Sequence, residues 1–276
     1  MRLVDSHCHL QSDRFDDDVA DVIEAARREG VERILVPGWD LQSSRRALGL
    51  VERFPWLDAA VGIHPHEAAN AGEGDWAEIV ALAGDPRVVA VGETGLDYDR
   101  VFSPIPLQLA NLQRHLELGI RIGKPVILHV RSRAGARDAQ DALVAQLRAA
   151  GHGGRTAGAQ FGGRPPAVIH SFSGPADYAS AVLDLGLAIS ISGLAFRPGE
   201  EPTAGVVALV PAERLLIETD SPFLSPPGAP RRRNEPEWVR ITGAWVAQRR
   251  AIGEEQLGQD LVAAYDRAFV RERART

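Results

Sequence analysis

Residues 88–93 have the sequence Val-Val-Ala-Val-Gly-Glu, in which a run of small and β-branched apolar residues ends in a carboxylate. A short, continuous apolar run of this kind is typical of a strand buried on both faces of a parallel sheet. Seven further segments have a similar character, at residues 3–7, 33–37, 58–62, 125–129, 167–170, 187–192 and 215–220. The sequence therefore predicts eight buried strands.

Segments with helical periodicity lie between these strands. They cover residues 16–29, 43–54, 76–82, 107–122, 139–149 and 176–185, and two more follow the last strand at 237–250 and 254–271. Eight strands alternating with helices favour a closed barrel over an open doubly wound sheet, which usually has fewer strands. We predict an α/β fold, a single (β/α)₈ TIM barrel over residues 1–276 with a closing C-terminal helix.

Residues 151–166 interrupt the alternation. They contain six glycines and two prolines, a composition that disfavours both helix and strand. We expect a flexible insertion there.

Composition limits the class of protein. The net charge of −6 gives no global basic field, so an anionic substrate must be held by metal ions or by a local basic patch. Cys8 is the single cysteine, and the N-terminus lacks the apolar segment of a secretion signal. We expect a cytoplasmic protein without a membrane-spanning helix. The oligomeric state is left open, and a monomer is compatible with the sequence.

Ionisable side chains repeatedly close the apolar runs, and in a barrel these strand ends converge on one face, where active sites form. The converging set comprises four imidazoles and two carboxylates, namely His7, His9, Glu93, His129, His170 and Asp220. Nitrogen and oxygen ligands without thiolate suit zinc, manganese or a related divalent ion, and six ligands exceed what one tetrahedral ion needs. We therefore predict two divalent metal ions that share a bridging carboxylate.

Each of these residues also has a structural interpretation. A single histidine is more often a hydrogen-bonded strand-end residue, Glu93 could lie at a helix N-terminus, and Asp220 could cap a helix. Their joint occurrence favours the metal centre. Because side chains alternate along a strand, His7 and His9 face one side and Cys8 faces the core.

The same positions carry motifs that resemble the TatD-type metal-dependent deoxyribonucleases of the amidohydrolase-like barrel group. The motifs span nearly the whole chain: Asp-Ser-His-Cys-His at 5–9, Gly-Ile-His-Pro-His at 62–66, Gly-Glu-Thr-Gly-Leu-Asp-Tyr at 92–98, Pro-Val-Ile-Leu-His at 125–129, His-Ser-Phe-Ser-Gly at 170–174 and Glu-Thr-Asp-Ser-Pro at 218–222. The resemblance implies a nuclease that trims DNA ends, often from the 3′ side, without sequence specificity.

The resemblance also implies how the ligands divide. His7, His9, Glu93 and Asp220 would hold one ion, while Glu93, His129 and His170 would hold the other, so that Glu93 bridges. Candidate ions are Mg²⁺, Mn²⁺ and Zn²⁺.

Three stretches depart from the family pattern. Family members often carry Arg-Gly-Lys-x-Asn-x-Pro after the last barrel strand, whereas residues 230–236 (Pro-Arg-Arg-Arg-Asn-Glu-Pro) lack the glycine. Which arginine of 231–233 takes over its role is open. The 151–166 segment is longer than the usual connection. Ser171 stands where the family frequently has cysteine, and this touches no predicted ligand.

We hypothesise that two metal ions activate a water molecule for phosphodiester hydrolysis. Asp220 is the candidate to accept the proton of that water, and the bridging Glu93 is the second candidate catalytic residue. Candidate substrate contacts are His64, His66, Arg131, Arg232 and Asn234. Each has a structural alternative: Arg131 could orient a carboxylate, and an arginine run is often solvated surface. Asp97 and Tyr98 could line the site or only pack.

Two other functions remain open at this point. A hydrolase of an ester, lactone or amide, including one that deacylates aminoacyl-tRNA, would use the same fold and metals. A non-catalytic scaffold is a further alternative, against which the complete ligand set argues. Aromatic residues make up only 6%, so no extended base-stacking surface is predicted, which is compatible with binding only a strand end.

Overall fold

Eight parallel strands form the centre of the fold. The computed structural model describes residues 1–269 of the 276. The strands are Leu3–Asp5 (β1), Val31–Pro37 (β2), Leu57–Val61 (β3), Val88–Asp97 (β4), Val126–Arg131 (β5), Ala167–Ile169 (β6), Ala188–Ile191 (β7) and Leu215–Ile217 (β8). They pair in sequential order within one sheet, and each neighbouring pair is parallel.

The first and last strands meet and close the sheet into a barrel. The backbone N–H of Ser6 donates to the carbonyl of Ile217 at 3.0 Å, and Cys8 forms a parallel bridge with Ser221. The buried carboxyl group of Asp5 accepts from the backbone N–H of Thr219 at 3.0 Å and bonds its hydroxyl at 2.6 Å. The predicted TIM barrel is confirmed.

Ten α-helices lie within the described residues. They are Val19–Arg28 (α1), Leu41–Arg53 (α2), Glu73–Ala83 (α3), Ile105–Ile122 (α4), Asp138–Ala149 (α5), Arg155–Phe161 (α6), Ala176–Asp184 (α7), Glu201–Leu209 (α8), Val239–Arg250 (α9) and Glu254–Ala268 (α10). Helix α10 packs on β1 and β8 as the predicted closing helix, whose expected end at positions 270 and 271 lies outside the described residues. No helix within residues 1–269 has the length and apolar character that a bilayer span requires.

The prediction that residues 151–166 disfavour helix was wrong in the middle of the segment. Helix α6 forms there and ends at Gly162, which has a φ of 56° and donates its N–H to the carbonyl of Gly158 at 3.0 Å. Ala157 and Phe161 are buried. Burial of these apolar side chains offsets the low helix propensity of glycine. The expected mobility of the segment stays a prediction.

Side chains of α4 hold the end of β3 in place of strand pairing. The backbone N–H of Ile63 donates to Nε2 of His115 at 3.0 Å, and the carbonyl of Ile63 accepts from Nδ2 of Asn111 at 2.7 Å. Because Nε2 of His115 is an acceptor, Nδ1 carries the proton and donates to the carbonyl of Asn111 at 2.7 Å. The buried His115 ring is therefore neutral, and it fixes the residue that precedes His64.

The neutral state of His115 predicts a pH-dependent contribution to stability. Burial lowers the pKa of His115 to about 3 from 6.5. The unfolded chain therefore binds one more proton between these pH values, and stability rises with pH across that window. We expect His115→Gln to reduce the slope of the unfolding free energy between about pH 4 and 6 by about 1.4 kcal/mol per pH unit. Denaturant unfolding at several pH values measures the slope, and an unchanged slope would contradict the neutral ring.

Candidate metal centre

The six predicted metal ligands meet at the carboxyl ends of the strands. His7 and His9 follow β1, Glu93 lies in β4, His129 lies in β5, and His170 and Asp220 follow β6 and β8. Their side chains are shielded, with exposed fractions from 0% for His7 to 19% for His129. The barrel thus converts six positions scattered along the chain into one buried polar cluster.

Glu93 occupies the centre of this cluster. Its Oε2 lies 3.1 Å from Nε2 of His7 and 3.5 Å from Nε2 of His9. Its Oε1 lies 3.0 Å from Nε2 of His170 and 3.2 Å from Nδ1 of His129. The two carboxylate oxygens therefore face two different pairs of histidines.

Asp220 lies on the Oε2 side of Glu93. Its Oδ1 is 3.5 Å from Nε2 of His9 and 3.8 Å from Nε2 of His7. Asp220 has a φ of 54°, in the left-handed region that non-glycine residues seldom occupy. Its N–H donates to the carbonyl of His7 at 2.9 Å, and its own carbonyl accepts from the N–H of Phe223 at 2.8 Å. Backbone strain held in this way is typical of functional sites.

The spacing of the donor atoms fits divalent cations. Nε2 of His7 lies 3.2 Å from Nε2 of His9, and Nδ1 of His129 lies 3.3 Å from Nε2 of His170. Two nitrogens bound to one ion at about 2.0–2.1 Å lie about 2.8–3.4 Å apart in octahedral or tetrahedral geometry. Both pairs match this spacing, and each has an oxygen of Glu93 beside it.

The charges within the cluster compensate one another. Burial raises the pKa of Glu93, but the neighbouring histidines, His170 foremost, outweigh burial and hold that pKa well below its ordinary value. Burial lowers the pKa of His170, but Glu93 and Glu218 outweigh burial and raise it well above the ordinary value. Glu93 is thus ionised, as a metal ligand must be, and a bound cation would take the place of the imidazolium charge.

Glu218 belongs to this centre although no role was predicted for it. It is fully buried, and its Oε1 lies 3.2 Å from Nδ1 of His170 and accepts from the N–H of Ser171 at 2.6 Å. A ligating imidazole commonly gives its second nitrogen to a carboxylate, which orients the ring and raises its basicity. Its position within the predicted apolar run at 215–220 could have identified it, because charged residues are seldom buried without a partner.

His64 and His66 lie nearer to the ligands than a purely substrate-binding role requires. Nε2 of His64 is 3.3 Å from Oε1 of Glu93, and Nδ1 of His64 accepts from the N–H of His66 at 3.1 Å. Burial lowers the pKa of His64 to about 4, so the neutral ring donates from Nε2. Nε2 of His66 lies 2.7 Å from Oδ2 of the buried Asp97. Asp97 therefore contacts and orients the His66 ring.

The other predicted substrate contacts are placed differently. Arg131 lines the cavity, but its Nε and Nη2 both lie 2.8 Å from Oδ2 of Asp99. Asn234 is fully buried and donates to the carbonyls of Thr219 and Phe223. Asn234 therefore supports the loop after β8 and does not face substrate, which corrects the prediction. Arg232 is exposed but lies outside the cavity lining.

The arginines at 231–233 also differ in their surroundings. Arg233 pairs with Asp18 at 2.7 Å and with Glu235 at 2.8 Å, and its guanidinium lies 4.8 Å from the ring centre of Phe15. Arg233 thus ties the loop after β8 to the segment after β1.

A cavity of about 900 Å³ opens over the metal centre. Four arginines line it: Arg100, Arg131, Arg133 and Arg137. Arg137 pairs with Asp141 and Asp177, whereas Arg133 has no ion pair among residues 1–269. Arg133, which the sequence analysis did not single out, is therefore better placed than Arg131 to receive a phosphate.

Comparisons with known proteins identify relatives of this chain. The family model described as TatD related DNase matches residues 4–270. The uncharacterized metal-dependent hydrolase YabD of Bacillus subtilis (strain 168) is 34% identical over 256 residues, covering 92% of this chain and 94% of YabD. The 3′-5′ ssDNA/RNA exonuclease TatD of Edwardsiella piscicida is 37% identical over 240 residues, covering 85% and 86%. The crystal structure of YJJV, a TatD homolog from Escherichia coli K12, superposes with a TM-score of 0.84 at 28% identity, covering 97% and 98%.

The contact between Glu218 and His170 predicts a loss of metal affinity in a variant. The pKa of Glu218 is about 2, because His170 and neighbouring groups outweigh burial, so its carboxylate is charged at neutral pH. Glu218→Gln keeps the size and an acceptor for Ser171 but removes that charge. We expect Mn²⁺ affinity to fall about 10- to 100-fold, measured by calorimetric titration. The exposed Glu213→Gln is the control, and equal affinities of both variants would contradict the orienting contact.

Proposed function

Because the chain belongs to the TatD-related DNase family and is a metal-dependent hydrolase, we propose that it is a 3′-5′ exonuclease. Its proposed substrates are the ends of DNA strands. The observation that carries the proposal is Glu93, whose two oxygens face two pairs of histidines under a cavity lined with arginines. Relatives named 3′-5′ ssDNA/RNA exonucleases, at 37% and 35% identity, support the substrate class.

We infer two divalent ions, Mg²⁺, Mn²⁺ or Zn²⁺, for this centre. His7, His9, Glu93 and Asp220 would hold one, and His129 and His170 would hold the other together with Glu93. When bound, such ions stabilise the charge that develops on a phosphate and make a water molecule more acidic. The arrangement requires both Glu93 oxygens to be ionised acceptors, which the low pKa of Glu93 supplies.

The protein's own residues complete the proposed reaction. Asp220, 13% exposed at its side chain, lines the cavity and accepts the proton of the attacking water on the carboxylate oxygen that does not hold the ion. The water oxygen adds to phosphorus, the bond to the 3′ oxygen of the preceding nucleotide breaks, and Asp220 returns the proton to that oxygen. Arg133 holds the phosphate by charge-assisted hydrogen bonds. His64, a neutral donor beside Glu93, keeps the bridging carboxylate in place.

The function is tested by digestion of an end-labelled single-stranded DNA, with and without Mg²⁺ or Mn²⁺. Stepwise, metal-dependent release of mononucleotides from the 3′ end is the expected result. Intact DNA despite metal found in the protein would overturn the nuclease and direct the search to ester and aminoacyl substrates of the same fold.

Asp220→Asn is expected to slow this digestion by at least about 100-fold, because general acid-base transfer contributes about 10²–10⁴. The fold should be retained, since asparagine preserves the size of the side chain, and circular dichroism checks this. The exposed Asp184→Asn serves as the control. An Asp220→Asn enzyme that keeps more than a tenth of the wild-type rate would remove Asp220 as the proton acceptor.

Arg133→Ala is expected to weaken binding of single-stranded DNA and to reduce the slope of log Kd against log salt concentration by about 0.7, one phosphate contact fewer. Fluorescence anisotropy at several salt concentrations measures the slope. Arg232→Ala removes an exposed arginine outside the cavity and should leave the slope unchanged. If Arg232→Ala reduces the slope and Arg133→Ala does not, the phosphate contact lies on the loop after β8.

A further inference from the structure

Two phenylalanines beside the metal centre expose their rings to solvent. Phe102 is 66% exposed and Phe223 is 52% exposed. Among the other large hydrophobic residues within residues 1–269, only Leu107 and Leu209 are also exposed. Single exposed apolar side chains are common on proteins, so exposure alone indicates no function for these two rings.

Phe223 lines the cavity on the side of His9 and Asp220. Its ring centre lies 6.2 Å from that of His9 in an edge-to-face arrangement. The backbone of Phe223 is fixed from both sides, because its N–H donates to the carbonyl of Asp220 at 2.8 Å and its carbonyl accepts from Nδ2 of Asn234 at 2.7 Å. An exposed ring therefore sits on a rigid backbone next to the proposed proton acceptor.

Phe102 lies beside His66, with ring centres 4.7 Å apart and again edge to face. The preceding Val101 has a φ of 50°, which is strained for a β-branched residue. The following Ser103 donates its hydroxyl to the carbonyl of His66 at 2.7 Å and accepts from the N–H of Ala69 at 3.0 Å. A strained backbone held by such bonds presents a ring that nothing in the described core covers.

The two rings adjoin histidines on different branches of the cluster around the bridging carboxylate. Phe223 adjoins His9, which faces Oε2 of Glu93. Phe102 adjoins His66, whose ring centre is 4.3 Å from that of His64, and His64 faces Oε1. Each ring is thus connected to a different oxygen of Glu93 through the histidines of the cluster.

We propose that Phe102 and Phe223 stack on the bases that flank the scissile phosphate, so that the enzyme selects strand ends whose bases are unpaired and unstacked. This inference rests on the proposed nuclease function. Stacking on an aromatic ring is tolerant of sequence because every base has a π face. In a duplex, neighbouring base pairs cover those faces.

The burial of the ligands supports the same selection. The side chains of His7, Glu93 and His170 are at most 5% exposed, so a phosphate must enter the cavity to reach them. A single strand can bend its backbone inward while its bases turn outward onto the two rings. Aromatic residues make up only 6% of the chain, and Phe223 in the cavity lining with Phe102 beside His66 would be enough for an enzyme that holds only a strand end.

The test compares two labelled oligonucleotides of equal length. One is normal, and in the other the two 3′-terminal nucleotides are replaced by tetrahydrofuran abasic residues, which keep the phosphate backbone and lack a base. Binding is measured by fluorescence anisotropy in the Asp220→Asn background with Mn²⁺, so that affinity is read independently of turnover. Phe102→Ala and Phe223→Ala are each combined with it. The matched control is Leu209→Ala, which removes an exposed apolar side chain outside the cavity.

Each phenylalanine variant should weaken binding of the normal oligonucleotide about 5- to 100-fold and change binding of the abasic one less than twofold. Phe102→Trp and Phe223→Trp should retain the affinity, and Leu209→Ala should change neither substrate. Equal losses on both oligonucleotides, or no loss on either, would overturn the stacking. Failure of the wild type to digest either oligonucleotide would overturn the nuclease function instead, while the base dependence of binding still decides the stacking.

Discussion

The buried negative charge of Glu93 is the constraint on which the rest of the site depends. Glu93 is 2% exposed, and an uncompensated buried carboxylate costs several kcal/mol. Compensation comes from histidines carried by or following β1, β5 and β6, each placed within 3.5 Å of one of its oxygens. No local segment could supply these groups. The barrel is the structure that brings them together, so the requirements of the site and of the fold coincide at this residue.

The junction between β1 and β8 also has to form before the ligands can meet. Asp5 bonds the backbone and the hydroxyl of Thr219 across the junction, and the same carboxyl group accepts from the N–H of His7 at 3.3 Å. His7 and Asp220 therefore come into contact only when the two ends of the sheet have joined. Ligands that meet in this way couple metal binding to barrel closure, since the unfolded chain has no preformed site.

Most of the fold and the ligand set were predictable because both follow from local pattern. The run at 88–93 shows a buried strand together with the carboxylate that closes its apolar part, although β4 itself continues to Asp97, and β/α alternation places the carboxyl ends of strands at one face. Helix α8, Glu-Pro-Thr-Ala-Gly-Val-Val-Ala-Leu, lacks a polar face and includes proline and glycine, so periodicity missed it. The contacts of Arg131 and Asn234 could not be predicted, because their partners Asp99 and Thr219 meet them only after folding. The exposure of Phe102 and Phe223 likewise could not be predicted from composition.

The charge of the cavity with the proposed ions bound follows from the same arrangement, because ligating histidines are neutral. Its lining contains six carboxylates, those of Glu67, Glu93, Asp97, Asp99, Glu200 and Asp220, against the four arginines, which leaves two negative charges when the histidines are neutral. With the two divalent ions proposed above, the lining carries two positive charges. The occupied cavity therefore attracts a phosphate although the chain has a net charge of −6. Metal binding and substrate binding are linked through this positive charge, and Arg133 acts on a phosphate that the occupied centre has already drawn in.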